Sequence, residues 1–272
     1  MTGYLTALPR RAVLHVTGAD AKTFLQRVIT RGPEGVAPGR AMFSALLTPQ
    51  GKVLADLFLL DDGEGGLFID LPASEADALT KRFTLYRLRA KAELTLREDL
   101  SMAAAKGEGE DELRTVALVV ATDPRDAAIG LRAVVPAGGP ADDAAYDIAR
   151  IAARAPEFGA DYGAAEVFST DVNHDLLSGI DYKKGCFVGQ EVASRMHRKG
   201  GVRKRTVRIE TGAAPGAAVK AGETEVGSIT SAGGGLALAL VRADRLQSAL
   251  DAGEALTAGE APAVLKDDLT AL

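Results

Sequence analysis

A chain of 272 residues, 47% of them hydrophobic, can bury cores for two or three compact units. Its formal net charge of −5 gives no reason to expect a nucleic-acid partner, and no uninterrupted apolar run is long enough to cross a bilayer. One cysteine, Cys186, and three histidines exclude an intrachain disulfide, a tetrahedral Cys/His zinc site and a four-thiolate cluster held by one chain, so no bound metal is expected.

The N-terminus, MTGYLTALPRRAVLHV, lacks a basic region followed by a long apolar stretch. A cytoplasmic location is therefore the expectation. RAVLHVTG (11–18) reads as a strand, and Asp20 can cap a helix that puts Phe24, Leu25, Val28 and Ile29 on one face. AMFSALL (41–47) and KVLADLFLL (52–60) are apolar strands joined by Thr48-Pro49-Gln50-Gly51, whose proline and glycine positions suit a type I turn. Residues 61–66 form another turn, leading to the strand LFIDLP (67–72). Ser74 and Asp77 fit a capping box opening a helix through about Tyr86. KAELTLRE (91–98) alternates apolar and polar residues as a half-buried strand does.

Residues 106–112 read as an exposed loop, TVALVVA (115–121) and LRAVVP (131–136) as strands, and 143–153 as a helix. Beyond Gly200 short strands, VRKRTVRIE, EVGSIT and LALALV, alternate with glycine-rich turns, which suggests a separate small β-barrel. Gly233-Gly234-Gly235 lacks the strand–turn–helix setting of a phosphate loop and reads as a turn between barrel strands. The expected organisation is α+β over 1–199, followed by a barrel over 200–272.

The run DYKKGCFVGQEVASRMHRKGG (181–201) carries the chemistry. From 183 to 205 there are eight Lys or Arg against one acid, Glu191, a basic strip on an acidic chain that suits a small anionic ligand. Gly185 and Gly189 bracket the only thiol and would let backbone amides approach a ligand. Lys183 and Lys184 would favour the Cys186 thiolate; Gly185 should leave its sulfur open, with Phe187 the buried anchor if this stretch alternates in and out. Gln190 donates and accepts hydrogen bonds and Glu191 accepts them, which suits a heterocycle with a mixed edge such as a pterin. Arg195 can meet a carboxylate bidentately, or simply pair with Glu191 one helical turn away. His15 is expected to be structural, His174 and His197 to lie at the surface, and Tyr146, Phe158 and Tyr162 to be core or wall residues.

KGCFVGQEVASR resembles the signature of the YgfZ family, K-G-C-[FY]-x-G-Q-E followed by a small residue and Arg. VTGADAKTFLQRVIT, SALLTPQGKVLADLFLL, YRLRAKAEL and EVGSITSAGGGLALALVRADR are similar to other segments of that family, so the resemblance covers nearly the whole chain. It is nearest to the subgroup that includes the family's mitochondrial iron–sulfur assembly factor. The resemblance implies the fold of the glycine cleavage T-protein, a ring of two ferredoxin-like subdomains closed by a C-terminal β-barrel. It further implies binding of tetrahydrofolate or a one-carbon derivative, and partnership with iron–sulfur proteins or their assembly factors. Cys186 would be the functional thiol, and Lys184, Gly185, Gly189, Gln190, Glu191, Arg195 and Asp171 the folate-binding set. Asp171 stands where relatives often carry a longer carboxylate, Ala152 where the T-protein has a folate-contacting glutamate, and Arg154 where relatives often have glycine. Two other readings compete with a folate-dependent accessory factor: a tetrahydrofolate-dependent aminomethyl or methyl transferase, and a non-catalytic interaction module.

Overall fold

The computed structural model describes residues 3–198 and 202–269. The expected boundary at 199/200 lies outside the described residues. The first sheet is wholly antiparallel, in spatial order Met42–Leu47, Val53–Asp61, Leu67–Pro72, Arg11–Thr17, Glu93–Leu96. Both its faces are covered, which is why its strands read as nearly continuous apolar runs. Leu14, Val16, Leu57 and Ile69 point to helices α1 (Ala21–Gln26) and α2 (Ala76–Arg87). Their strand neighbours Val13, Phe58 and Phe68 point the other way, into a core shared with the second sheet.

That second sheet runs Tyr4–Ala7, Leu100–Lys106, Leu131–Pro136, Val119–Thr122, Gly39–Arg40, with only the last pair parallel. Helix α3 (Gly109–Val116) buries Leu113 against its outer face, and α4 (Ala144–Ala152) buries Tyr146 in the core between the sheets. Helix α5 (Gln190–Arg198) precedes a seven-stranded sheet built from residues 204–265, with α6 (Ala243–Asp251) packed on it. The two edge strands of that sheet, Ala261–Pro262 and Val264–Leu265, have only Ala263 between them, so the sheet nearly closes into a barrel. Gly234 and Gly235, at positive φ, make the turn between its strands Thr224–Gly233 and Leu236–Arg242, as expected.

Several local expectations are corrected. Asp20 does not cap α1; its carboxylate accepts from the Lys91 backbone amide at 2.8 Å and ties the helix entrance to the segment that leads into the strand Glu93–Leu96. Helix α1 ends at Gln26, and Val28 and Ile29 are buried beyond it. The capping box at Ser74 and Asp77 is absent, because Ala73–Glu75 is a 3-10 turn running directly into α2. Residues 106–112 are the end of a strand and the start of α3, so Thr115 and Val116 are helical and the following strand begins at Val119. Tyr4–Ala7 and Leu100–Lys106 are strands that the sequence did not mark.

Candidate functional site

Residues 183–189 cross the protein as a short bridge between α1 and α5. Lys184 Nζ donates to the Gln26 carbonyl, and the Val188 amide donates to the Val28 carbonyl at 3.4 Å. Phe187 is buried with Leu47, Val53 and Ala193. Cys186, between these anchors, is exposed. The alternation of an open thiol and a buried phenyl ring matches the expectation for this stretch. Burial holds the Lys184 ammonium below its usual value, and its Nζ lies 5.2 Å from the Phe187 ring centre. Lys184 is thus spent on anchoring the bridge.

The two glycines differ. Gly189, at φ +79°, sits so close to the turn 48–51 that a Cβ would lie 2.5 Å from the Thr48 carbonyl oxygen. The missing Cβ at Gly189 is therefore required by chain packing. Gly185, at φ +99°, has open space where a Cβ would be. Gln190 begins α5 half-buried, while Glu191 and Arg195 are exposed on it. His197 is exposed, as expected, and stacks on Tyr182 with ring centres 4.0 Å apart.

Asp171 stands apart from Gln190 and Glu191. It is buried in a cleft of about 240 Å³ lined by Lys52, Phe168, Met196, Arg203, Lys204 and Arg242, among others. Of the residues expected around the thiol, none lines this cleft among the described residues; only Met196, in the last turn of α5, connects it to the signature helix. One Asp171 oxygen accepts from the Phe168 amide at 2.9 Å. Burial raises the Asp171 pKa, against the pull of that hydrogen bond and of Lys204 and Lys52.

Between the first two sheets lies a buried charge network. Arg11 donates to Asp70 at 2.6 Å and to Asp56 at 2.5 Å, and Arg132 also donates to Asp70. Arg125 holds Asp123 at 2.8 Å and Glu157 at 3.1 Å, and Tyr146 donates to Glu157. Burial alone would raise Glu157; Arg125 and Arg132 overcome it and hold its carboxyl well below the ordinary range. Arg132 also lies over Phe58, 3.7 Å from its ring centre. Tyr146 and Tyr162 are core residues with polar duties, the Tyr162 hydroxyl donating to Asp56 at 3.2 Å. His174, expected at the surface, is fully buried in this region, and burial pushes its pKa down to about 4. Sequence reasoning passed over the whole network. The available signal was a single charge in the middle of each apolar run: Asp56 in VLADLFLL, Asp70 in LFIDLP, Arg132 in LRAVVP. A charge so placed is buried and must be paired.

Residues 203–268 match the family model of the CAF17 C-terminal beta-barrel domain. The chain is 30% identical over 228 residues to an iron–sulfur cluster assembly factor IBA57 homolog, mitochondrial, of Mycosarcoma maydis, covering 76% of this chain and 57% of that protein. It is 29% identical over 280 residues to the human mitochondrial iron–sulfur cluster assembly factor IBA57, covering 89% of this chain and 78% of the relative. The chain spans a little over half the length of the fungal relatives it matches. Among solved structures, glycine cleavage system aminomethyltransferase T from Bartonella henselae superposes with a TM-score of 0.74 at 17% identity, over 99% of this chain and 86% of that one. The expected fold is thereby established. The cytoplasmic expectation is overturned: the relatives are named mitochondrial. The absence of a secretory-signal pattern bears on secretion alone, so it was no guide to compartment.

Proposed function

From the premise that this chain is a relative of the IBA57-type iron–sulfur cluster assembly factors, built on the aminomethyltransferase fold, we propose that it is an accessory protein supporting assembly or repair of iron–sulfur clusters. Cys186 is its working thiol. The observation that carries this reading is the exposure of Cys186 on a bridge anchored at Lys184, Phe187 and Val188. A rigid support with an open sulfur suits contact with another molecule, whereas a structural cysteine would be buried.

Reduced folate is the proposed small ligand, and the Asp171 cleft has chemistry that fits its head. The second Asp171 oxygen has no hydrogen-bond partner among the described residues and can accept from the N–H edge of a pterin. Arg203 and Lys204 line the same cleft and suit a carboxylate, while Arg242 is held by Asp244 and Lys52 donates to the carbonyl of Glu166, the other acid of the lining. At about 240 Å³ the cleft takes a bicyclic ring but not a whole folate. Bound reduced folate would supply a one-carbon carrier; the chain's own part is to orient the ring through Asp171. Gln190, Glu191 and Arg195 remain proposed contacts on α5, with Gly185 open beside the thiol.

Calorimetric titration with tetrahydrofolate tests the ligand, and complementation of an iron–sulfur enzyme defect tests the role. Asp171→Ala should weaken binding roughly tenfold or more, the scale of one hydrogen bond to a charged group. Cys186→Ser should leave binding intact and abolish complementation. Absence of saturable binding would remove folate from the account, and full complementation by Cys186→Ser would remove the thiol.

A further inference from the structure

The bridge that carries Cys186 borders a groove of about 910 Å³ whose floor is Phe24, Val28, Tyr86, Ala90 and Val188. Its rim is basic. Arg27 and Arg89 are exposed and have no side-chain partner among the described residues, while Arg87 donates to the Ala92 carbonyl at 2.9 Å. The one acid lining it, Asp20, is occupied by the Lys91 amide.

Leu88, the C-cap of α2, lines this groove, and Leu85 stands out of the helix three residues before it. Leu85 and Leu88 are 73% and 84% exposed. Leu88, which caps the helix, is held at φ 52°, ψ −110°, a conformation that costs a branched side chain of order 1–3 kcal/mol. Such strain at an exposed apolar residue points to use at the surface.

The groove and the thiol are physically continuous. Lys184 rests on Gln26 and Val188 on Val28, so the bridge straddles Arg27 and carries Cys186 above it. Val188 lines the groove, and Cys186 lies two residues away along the chain, at most about 7 Å.

We propose that this groove docks an acidic segment of a partner protein bearing a leucine- or phenylalanine-sized side chain, and so presents the partner to Cys186. Charge complementarity requires the acid, since the guanidiniums of Arg27 and Arg89 meet no side chain among the described residues. The exposed leucines require a protein: only a surface broad enough to cover them gains from their burial, and a small anion would leave both in water. The purpose of the docking rests on the reading of Cys186 as the working thiol; the docking itself does not.

Two probes separate these. A fluorescein-labelled synthetic peptide of alternating glutamates and leucines should bind the full-length protein by anisotropy, and a peptide with lysines for the glutamates should not. Leu88→Gly combined with Arg89→Glu should weaken binding about tenfold or more, the loss expected of a rim charge together with an apolar anchor. Glycine accepts the Leu88 backbone conformation, so the fold is retained. Equal binding of both peptides, or equal binding by the variant, overturns the proposal. Concentration-dependent self-association abolished by the same variant would give the groove to a second copy and overturn it equally.

The second probe is the acidic peptide ending in a cysteine carried as its 2-pyridyl disulfide. The Cys186 thiolate attacks the peptide sulfur, a mixed disulfide forms, and 2-thiopyridone leaves with the electron pair. Its rate, divided by that of a small neutral pyridyl disulfide on the same protein, should be about tenfold or more above the lysine peptide's ratio, and should fall in the variant. A ratio unchanged in the variant would separate the groove from the thiol and overturn presentation. A Cys186 inert to the small disulfide would instead strike at the working thiol, leaving anisotropy to decide the docking.

Discussion

The buried charge network and the signature bridge hold charged residues in opposite ways. In the network, Arg11, Arg125 and Arg132 meet Asp56, Asp70, Asp123 and Glu157 directly, so that each charged group is paired inside the fold, with only Arg132 Nη2 and Glu157 Oε1 left without a hydrogen bond among the described residues. On the bridge only Lys184 is spent, on the Gln26 carbonyl, while Arg27, Arg89 and Cys186 beside it stay open. The first region fixes how the two sheets meet. The second uses that rigidity to hold out groups that meet no side chain among the described residues. Dense ionic chemistry therefore marks the scaffold here, and sparse, unpartnered chemistry marks the working surface.

The contrast is sharpest in stability. Arg11→Met removes the partner of two buried carboxylates and should cost about 3–5 kcal/mol in urea unfolding, the usual penalty for an uncompensated buried charge. A loss comparable to that of a surface substitution would mean that water reaches the network. The next largest effect is in pH. Because burial depresses His174 to about 4, the unfolded chain takes up a proton near the ordinary 6.5 while the folded chain refuses it. Stability present above that range should fall as pH drops from about 6.5 to 4, by on the order of 3 kcal/mol. His174→Gln should flatten this slope; an unchanged slope would assign it to other groups.

Within the bridge, the two glycines should separate. Gly189→Ala forces both a left-handed backbone and a collision with the Thr48 carbonyl, and should cost about 1–3 kcal/mol. Gly185→Ala meets only the backbone penalty, about 1 kcal/mol. Equal costs would mean that the bridge does not rest on the turn 48–51.

The sequence carried the outline of both regions, unevenly. Apolar runs such as LFIDLP and LALALV were legible because strand burial dictates their composition, and the barrel because glycine-rich turns punctuate it. The KGCFVGQE stretch was legible as chemistry, including the outward Cys186 and inward Phe187. What escaped were roles decided by partners distant in sequence. Asp20 looked like a helix cap until Lys91 claimed it. His174 looked like a surface residue until Phe43 and Tyr162 packed against it. That Gly189 packs against the turn 48–51 could not be read from the motif either. A motif names which residues matter; only the fold says whether each is turned toward the chain or away from it.

The smallest expected effect on stability is the most telling for function. Cys186→Ser should leave the urea midpoint unmoved, since the side chain has no packing to lose. The central claim, an open thiol on a rigid support, is tested most directly by the rate at which iodoacetamide alkylates Cys186 across a urea series. The account predicts rapid labelling of the native protein at a rate flat up to the unfolding transition. Labelling that begins only as the protein unfolds would place the sulfur inside the fold and contradict it.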